Sequence, residues 1–126
     1  MTQSNKILVV DDEASLVNLC QIIFANAGFE VRGASSGREA LTMIKEEMPD
    51  IILLDVMMPE MNGIELCRAI RSRFQKGRPC ILMYTADDRD ETRESSFAAG
   101  ANALITKETL VFELPAKVSP YFAADC

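Results

Sequence analysis

Three aspartates, a threonine and a lysine stand where apolar runs stop. Asp11-Asp12 follow Ile7-Leu8-Val9-Val10, Asp55 follows Ile51-Ile52-Leu53-Leu54, Thr85-Ala86 follow Cys80-Ile81-Leu82-Met83-Tyr84, and Lys107 lies just beyond Ala103-Leu104-Ile105. In open parallel α/β sheets, ligands bind in the crevice at the carboxyl ends of the strands, so side chains placed there can meet metal and substrate. Clustered carboxylates repel and need a neutralising cation. An oxygen-only set without His or Cys selects a hard ion such as Mg²⁺. Taken singly, each residue also has a plainer reading. Asp55 can simply start a turn, Asp11-Asp12-Glu13 can be acids placed at a helix N-terminus, Thr85 can close a strand and Lys107 can be a solvated charge.

The segments that must position these residues alternate between apolar runs and helical patterns, the signature of βα units with a parallel sheet. Ile7–Val10 is a short buried strand. Leu16, Leu19, Cys20, Ile23 and Ala27 follow at helical spacing, with Gly28 as C-cap. Glu30-Val31-Arg32-Gly33-Ala34 is a weaker strand, and Ser36 with Glu39 forms a capping box before Ala40, Leu41 and Ile44. Pro49 ends that helical region. After the Asp55 loop, Asn62 with Glu65 starts a helix that turns Ile64, Cys67 and Ile70 inward. Asp88 with Glu91 is the expected cap of a helix carrying Phe97, and Gly100 stops it before the last strand. Pro115 suits only a first helical turn, and Pro120 should kink or end the helix beyond it. Near-continuous apolar strands imply a sheet covered on both faces. With right-handed crossovers, an α/β flavodoxin-like (βα)5 fold in strand order 2-1-3-4-5 is predicted, bringing Asp11, Asp12 and Asp55 to its switch point.

At 126 residues with 48% hydrophobic content, one domain spanning 1–126 is expected. Loose ends are expected at residues 1–5 and about 122–126. The net charge of −6 disfavours direct contact with nucleic acid or an anionic membrane. No apolar stretch reaches membrane-spanning length and the first residues lack the core of a signal peptide, so a cytoplasmic protein is expected. Cys20, Cys67, Cys80 and Cys126 show no paired metal-ligand spacing and read as reduced thiols. The chain has no histidine, which excludes Ser-His-Asp and Cys-His nucleophilic catalysis. Met57, Met58 and Met61 read as packing residues rather than ligands for a soft metal.

The stretch Asp55-Val56-Met57-Met58-Pro59-Glu60-Met61-Asn62-Gly63, the acidic pair Asp11-Asp12, Thr85-Ala86 and Lys107 together resemble the response-regulator receiver family of two-component signalling. The resemblance runs from Lys6 to about Val118. It implies that Asp55 is the phosphoacceptor, taking a phosphoryl group from a histidine kinase or histidine phosphotransfer protein. It further implies that Asp12, Asp55 and the Met57 carbonyl bind Mg²⁺ directly and Asp11 binds it through water. Thr85 and the backbone N–H groups of Met57 and Ala86 would hold phosphoryl oxygens, with Lys107 as counter-charge. Such a module is no turnover enzyme; it acts as a monomer or weak dimer and signals through a downstream protein.

Two positions depart from the family pattern. Glu108 follows Lys107 where receivers usually have a cis proline, so a trans bond and a rearranged loop are expected. Leu104 stands where an aromatic ring usually reads out phosphorylation. Chemistry intact at the acid pocket with an atypical output face is the resulting expectation, in a stand-alone regulator or in a domain cut from a larger one. Two competing readings are a Mg²⁺-dependent phosphohydrolase with Asp55 as nucleophile and a constitutive interaction module. Phosphatases of the haloacid dehalogenase type place a second Asp two residues after the nucleophile, and Met57 occupies that place here.

Overall fold

The computed structural model describes residues 5–74 and 78–123. Strands β1 (Lys6–Val10), β2 (Glu30–Ala34), β3 (Ile51–Leu54), β4 (Cys80–Thr85) and β5 (Ala103–Thr106) form one parallel sheet in the order β2-β1-β3-β4-β5. This is the flavodoxin-like order expected from the sequence. Helices α1 (Ala14–Asn26), α2 (Gly37–Glu46), α3 (Gly63–Arg73) and α4 (Asp90–Ala98) connect successive strands. After β5 the chain makes a 3-10 turn (Val111–Glu113), then α5 (Leu114–Val118) and α6 (Pro120–Ala123). Pro115 sits in the first turn of α5, where its missing donor costs nothing, and Pro120 opens a new helix rather than extending the old one.

Successive strand residues point to opposite faces, and the sheet divides its apolar side chains accordingly. Leu8, Val10, Ile52, Leu54, Ile81 and Met83 pack with Ile44 of α2 and with Leu66 and Ile70 of α3. Ile7, Val9, Leu53, Leu82 and Tyr84 face the other way, toward Phe24 of α1 and Leu114 and Val118 of α5. With β3 and β4 wholly buried, the alternating polar pattern of a half-exposed strand has no place here. The register pairs Val10 with Leu54, Leu54 with Met83 and Thr85 with Thr106. The residues just past these pairs therefore emerge at one edge.

Several local expectations are corrected. The inward stripe of α1 is Val17, Cys20 and Phe24, which turns Leu19 out to 45% exposure. The Ser36 hydroxyl accepts the Glu39 N–H at 3.1 Å, but the Glu39 carboxylate returns to the N–H and hydroxyl of Ser35 rather than Ser36, so the box is displaced by one residue. No side chain caps α4, whose N-cap is Arg89; the neighbouring Asp87 accepts the Arg89 N–H and the Thr92 hydroxyl. The expected helix α4 does carry Phe97, which is exposed, and it buries Thr92 and Ser96. Cys80 is disulfide-bonded rather than a reduced thiol, since sequence spacing does not reveal which thiols meet in space. Of the ends expected to be loose, residues 1–4 and 124–126, with Cys126, lie outside the described residues. Asn5 and Phe122 are tied down: the Asn5 carbonyl accepts the Glu30 N–H at 2.8 Å, and the Phe122 ring packs edge-on against Phe29 at 5.1 Å.

Candidate functional site

Backbone hydrogen bonds set the carboxylates in place. Asp11 N–H donates to the Ala34 carbonyl at 3.2 Å and Asp55 N–H to the Val10 carbonyl at 3.0 Å, so each aspartate prolongs the sheet pairing by one residue. Asp11, Asp12 and Asp55 then present oxygens that all lie within 4.8 Å of one another. Asp11 and Asp55 are buried and Asp12 is exposed, so the cluster opens to solvent on the Asp12 side.

Lys107 closes the other side. Its ammonium donates to Asp11 Oδ2 at 3.0 Å and to Asp55 Oδ2 at 3.2 Å. Lys107–Glu108 is trans, as expected; the cis bond among the described residues is Arg78–Pro79. The lysine is aimed into the crevice without a proline behind it. Asp55 Oδ1 accepts the Met57 N–H at 3.2 Å and Asp11 Oδ1 accepts the Glu13 N–H at 2.9 Å. Thr85 is buried and its hydroxyl accepts the Asp87 N–H at 3.2 Å, while Ala86 beside it is exposed. Among the described residues no hydrogen bond joins Thr85 or Ala86 to Asp55; the two stand at the carboxyl end of β4, beside the strand end that carries Asp55.

The electrostatics derive from burial. Desolvation raises the Asp11 carboxyl above the usual carboxylate range, and repulsion from Asp55 adds to it, against the lowering pull of the Glu13 N–H and Lys107. For Lys107, burial works against the charge, but the hydrogen bond to Asp11 and the attraction of Asp55 and Asp11 prevail and hold its pKa up. The lysine therefore stays charged. An oxygen-only trio containing two buried acids suits a hard cation, and this donor set fits Mg²⁺.

Reading the sequence by strand ends did not assign roles to three residues near the pocket. Gly63 opens α3 directly behind Asp55; a Cβ there would overlap the Asp55 carbonyl oxygen, and its N–H donates to the Val56 carbonyl at 2.9 Å. Its place directly after Asn62, at the end of the stretch that Asp55 opens, was the available signal. Asp87 accepts hydrogen bonds from the Arg89 side chain and the Thr92 hydroxyl, which hold its carboxyl far below the usual range. Tyr84 precedes Thr85, and its phenol is raised chiefly by burial. A cavity of about 540 Å³ opens beside the Asp55 loop, with Met57, Pro59 and Ile64 on one wall and Asp87, Arg89 and Thr92 on the other.

A family model described as the response regulator receiver domain matches residues 7–119. The chain belongs to that family. The alkaline phosphatase synthesis transcriptional regulatory protein PhoP of Bacillus subtilis (strain 168) is 43% identical over 115 residues, covering 91% of this chain and 47% of that protein. The chain thus spans about half the length of this curated relative. Among solved structures, the chemotaxis protein CheY4 of Vibrio cholerae superposes with a TM-score of 0.88 at 32% identity, covering 94% of this chain and 99% of that one. A CheY-like receiver domain protein from Methanospirillum hungatei JF-1 gives 0.86 at 29% identity, over 95% and 94% of the two chains. The receiver fold thus holds at the level of sequence, strand order and superposition.

Proposed function

We propose that this receiver domain accepts a phosphoryl group on Asp55 from a phosphohistidine of a histidine kinase or phosphotransfer protein. The observation that carries the reading is Lys107, whose ammonium bridges Asp11 and Asp55 at 3.0 and 3.2 Å in a crevice with a third carboxylate. A residue that only starts a turn has no need to be gathered with two further carboxylates and an ammonium from two other strand ends. An Asp55 oxygen attacks phosphorus, the new P–O bond forms as the P–N bond breaks, and the imidazole leaves with the electron pair. Asp12, Asp55 and the Met57 carbonyl would hold Mg²⁺ directly and Asp11 through water. When bound, the ion cancels charge on the transferred oxygens.

The chain's own groups supply the remaining donors. Lys107 neutralises one phosphoryl oxygen, the Met57 N–H already points at Asp55, and the Thr85 hydroxyl turns from Asp87 to donate to the new group, with the Ala86 N–H beside it. The cavity by Met57 and Arg89 gives the donor side chain room to approach. Phosphorylation is stoichiometric rather than catalytic turnover on an outside substrate. We place the reaction in the cytoplasm, with a monomer or weak dimer handing its signal to a partner protein and no nucleic-acid contact by this acidic domain.

Incubation with acetyl phosphate and Mg²⁺ should add the mass of one phosphoryl group to the intact protein, and Asp55→Asn should abolish the gain. Phosphorylation of the mutant at the normal rate would remove Asp55 from the role. Sustained turnover of a phosphate monoester would replace the reading with a hydrolase.

A further inference from the structure

Lys107 has to reach two carboxylates from the end of an edge strand, and Glu108 leaves the backbone after it free to rotate where a proline ring would not. The turn is held all the same. Lys107 N–H donates to the Thr85 carbonyl at 2.9 Å, and Thr109 N–H donates to the Thr106 carbonyl at 3.0 Å. The third restraint comes from the neighbouring strand: the Tyr84 hydroxyl donates to the Thr109 carbonyl at 2.7 Å. The same ring lies beneath the lysine, 5.7 Å from Nζ to its centroid.

Tyr84 is only 4% exposed, so its hydroxyl bond is made out of bulk water, where a hydrogen bond gains strength, and its ring adds a cation–π contact to a lysine that is itself partly exposed. Packing alone would be served by phenylalanine. The ring already fills its place beside Leu82 and Leu114, and the hydroxyl adds only the hold on Thr109. A lysine side chain carries several rotatable bonds and is costly to immobilise. Anchoring the turn on both sides of Lys107 and seating its ammonium over a ring reduces the freedom that must be lost when the phosphoryl group arrives.

We propose that Tyr84 is a positioning residue for phosphoryl transfer to Asp55, its hydroxyl pinning the turn that carries Lys107 and its ring seating the Lys107 ammonium. It acts through Lys107 and touches neither Asp55 nor the phosphoryl group. The proposal rests on the reading of Asp55 as phosphoacceptor.

The test compares wild type, Tyr84→Phe and Tyr84→Leu in two measurements: the rate of phosphorylation by acetyl phosphate with Mg²⁺, and the NMR signal of the Lys107 ammonium in protein without phosphodonor. Tyr84→Phe keeps the packing and should slow phosphorylation about fivefold, the rate equivalent of one neutral hydrogen bond. Tyr84→Leu loses the ring as well and should slow it about thirtyfold. In both variants the ammonium signal should broaden or shift, and for Tyr84→Phe this should occur in a protein that stays fully folded, its melting temperature lowered by no more than the few degrees one hydrogen bond is worth. A slower Tyr84→Phe with the wild-type ammonium signal overturns the proposal, because the effect then bypasses Lys107. An altered signal at the wild-type rate overturns it equally. If wild type gains no phosphoryl group, the phosphoacceptor reading falls instead, and the ammonium spectrum alone decides whether Tyr84 positions Lys107.

Discussion

Asp11 carries the electrostatic cost of the crevice. It is 3% exposed, and burial with Asp55 nearby raises its carboxyl pKa despite the Lys107 ammonium. A carboxyl whose pKa is raised by folding contributes stability below its unfolded value of about 3.9 and loses that contribution as pH rises through the folded value. At neutral pH without metal, the charge on Asp11 is therefore a burden. Asp11→Asn keeps the shape and an acceptor for Lys107 while removing the charge. It should raise the metal-free melting temperature by about 4 °C at pH 7, the size of a change of about 1 kcal/mol in a domain of this length. The gain should fade as pH falls toward about 4. A melting scan across pH checks this, and a neutral-pH destabilisation would mean that the ion pair with Lys107 outweighs the repulsion. The acids themselves were legible from the sequence because each ends an apolar run. The burial difference between Asp11 and Asp12 was not, since it depends on which side of the strand end each one faces.

Between elements, the decisive contact is α3 against the end of β3. Gly63 lets the helix start where a larger residue would meet the Asp55 carbonyl. Gly63→Ala must push the two apart and should cost about 1–3 kcal/mol, the range for overpacking a filled site. Urea denaturation gives the stability, and phosphorylation should slow as Asp55 is displaced; full stability in the variant would show that the loop yields freely. The helix start itself was readable. Asn62 and Glu65 form the reciprocal capping box at 2.9 Å in both directions, because a cap requires only residues three apart. Asp88 and Glu91 have the same spacing and form no cap, because α4 starts at Asp90 with Arg89 at the N-cap position, one residue past Asp88, while Asp87 holds the Arg89 N–H and the Thr92 hydroxyl. On α1 the apolar spacing fitted more than one stripe. Packing chose Val17, Cys20 and Phe24, and left Leu19 and Ile22 facing solvent.

Across the whole molecule, strand order could be read from chain order because right-handed crossovers and two buried sheet faces leave few arrangements of five apolar strands. The aim of Lys107 could not, since it depends on Tyr84 meeting Thr109 across two strands, a contact without local spacing to betray it. The same convergence that builds the site puts like charges together, and a fold held with net charge −6 gains when a cation joins its most crowded acids. Mg²⁺ at ten times its dissociation constant should stabilise the domain by about 1.4 kcal/mol, raising the melting temperature by about 5 °C. The rise should continue with the logarithm of Mg²⁺ concentration, as linkage requires for an ion that binds the folded state alone. Asp12→Asn removes the exposed carboxylate of the trio without disturbing the buried pair and should flatten that dependence. A melting temperature indifferent to millimolar Mg²⁺ would mean that Lys107 alone neutralises the crevice. Equal Mg²⁺ dependence in wild type and Asp12→Asn would place the ion elsewhere on the acidic surface.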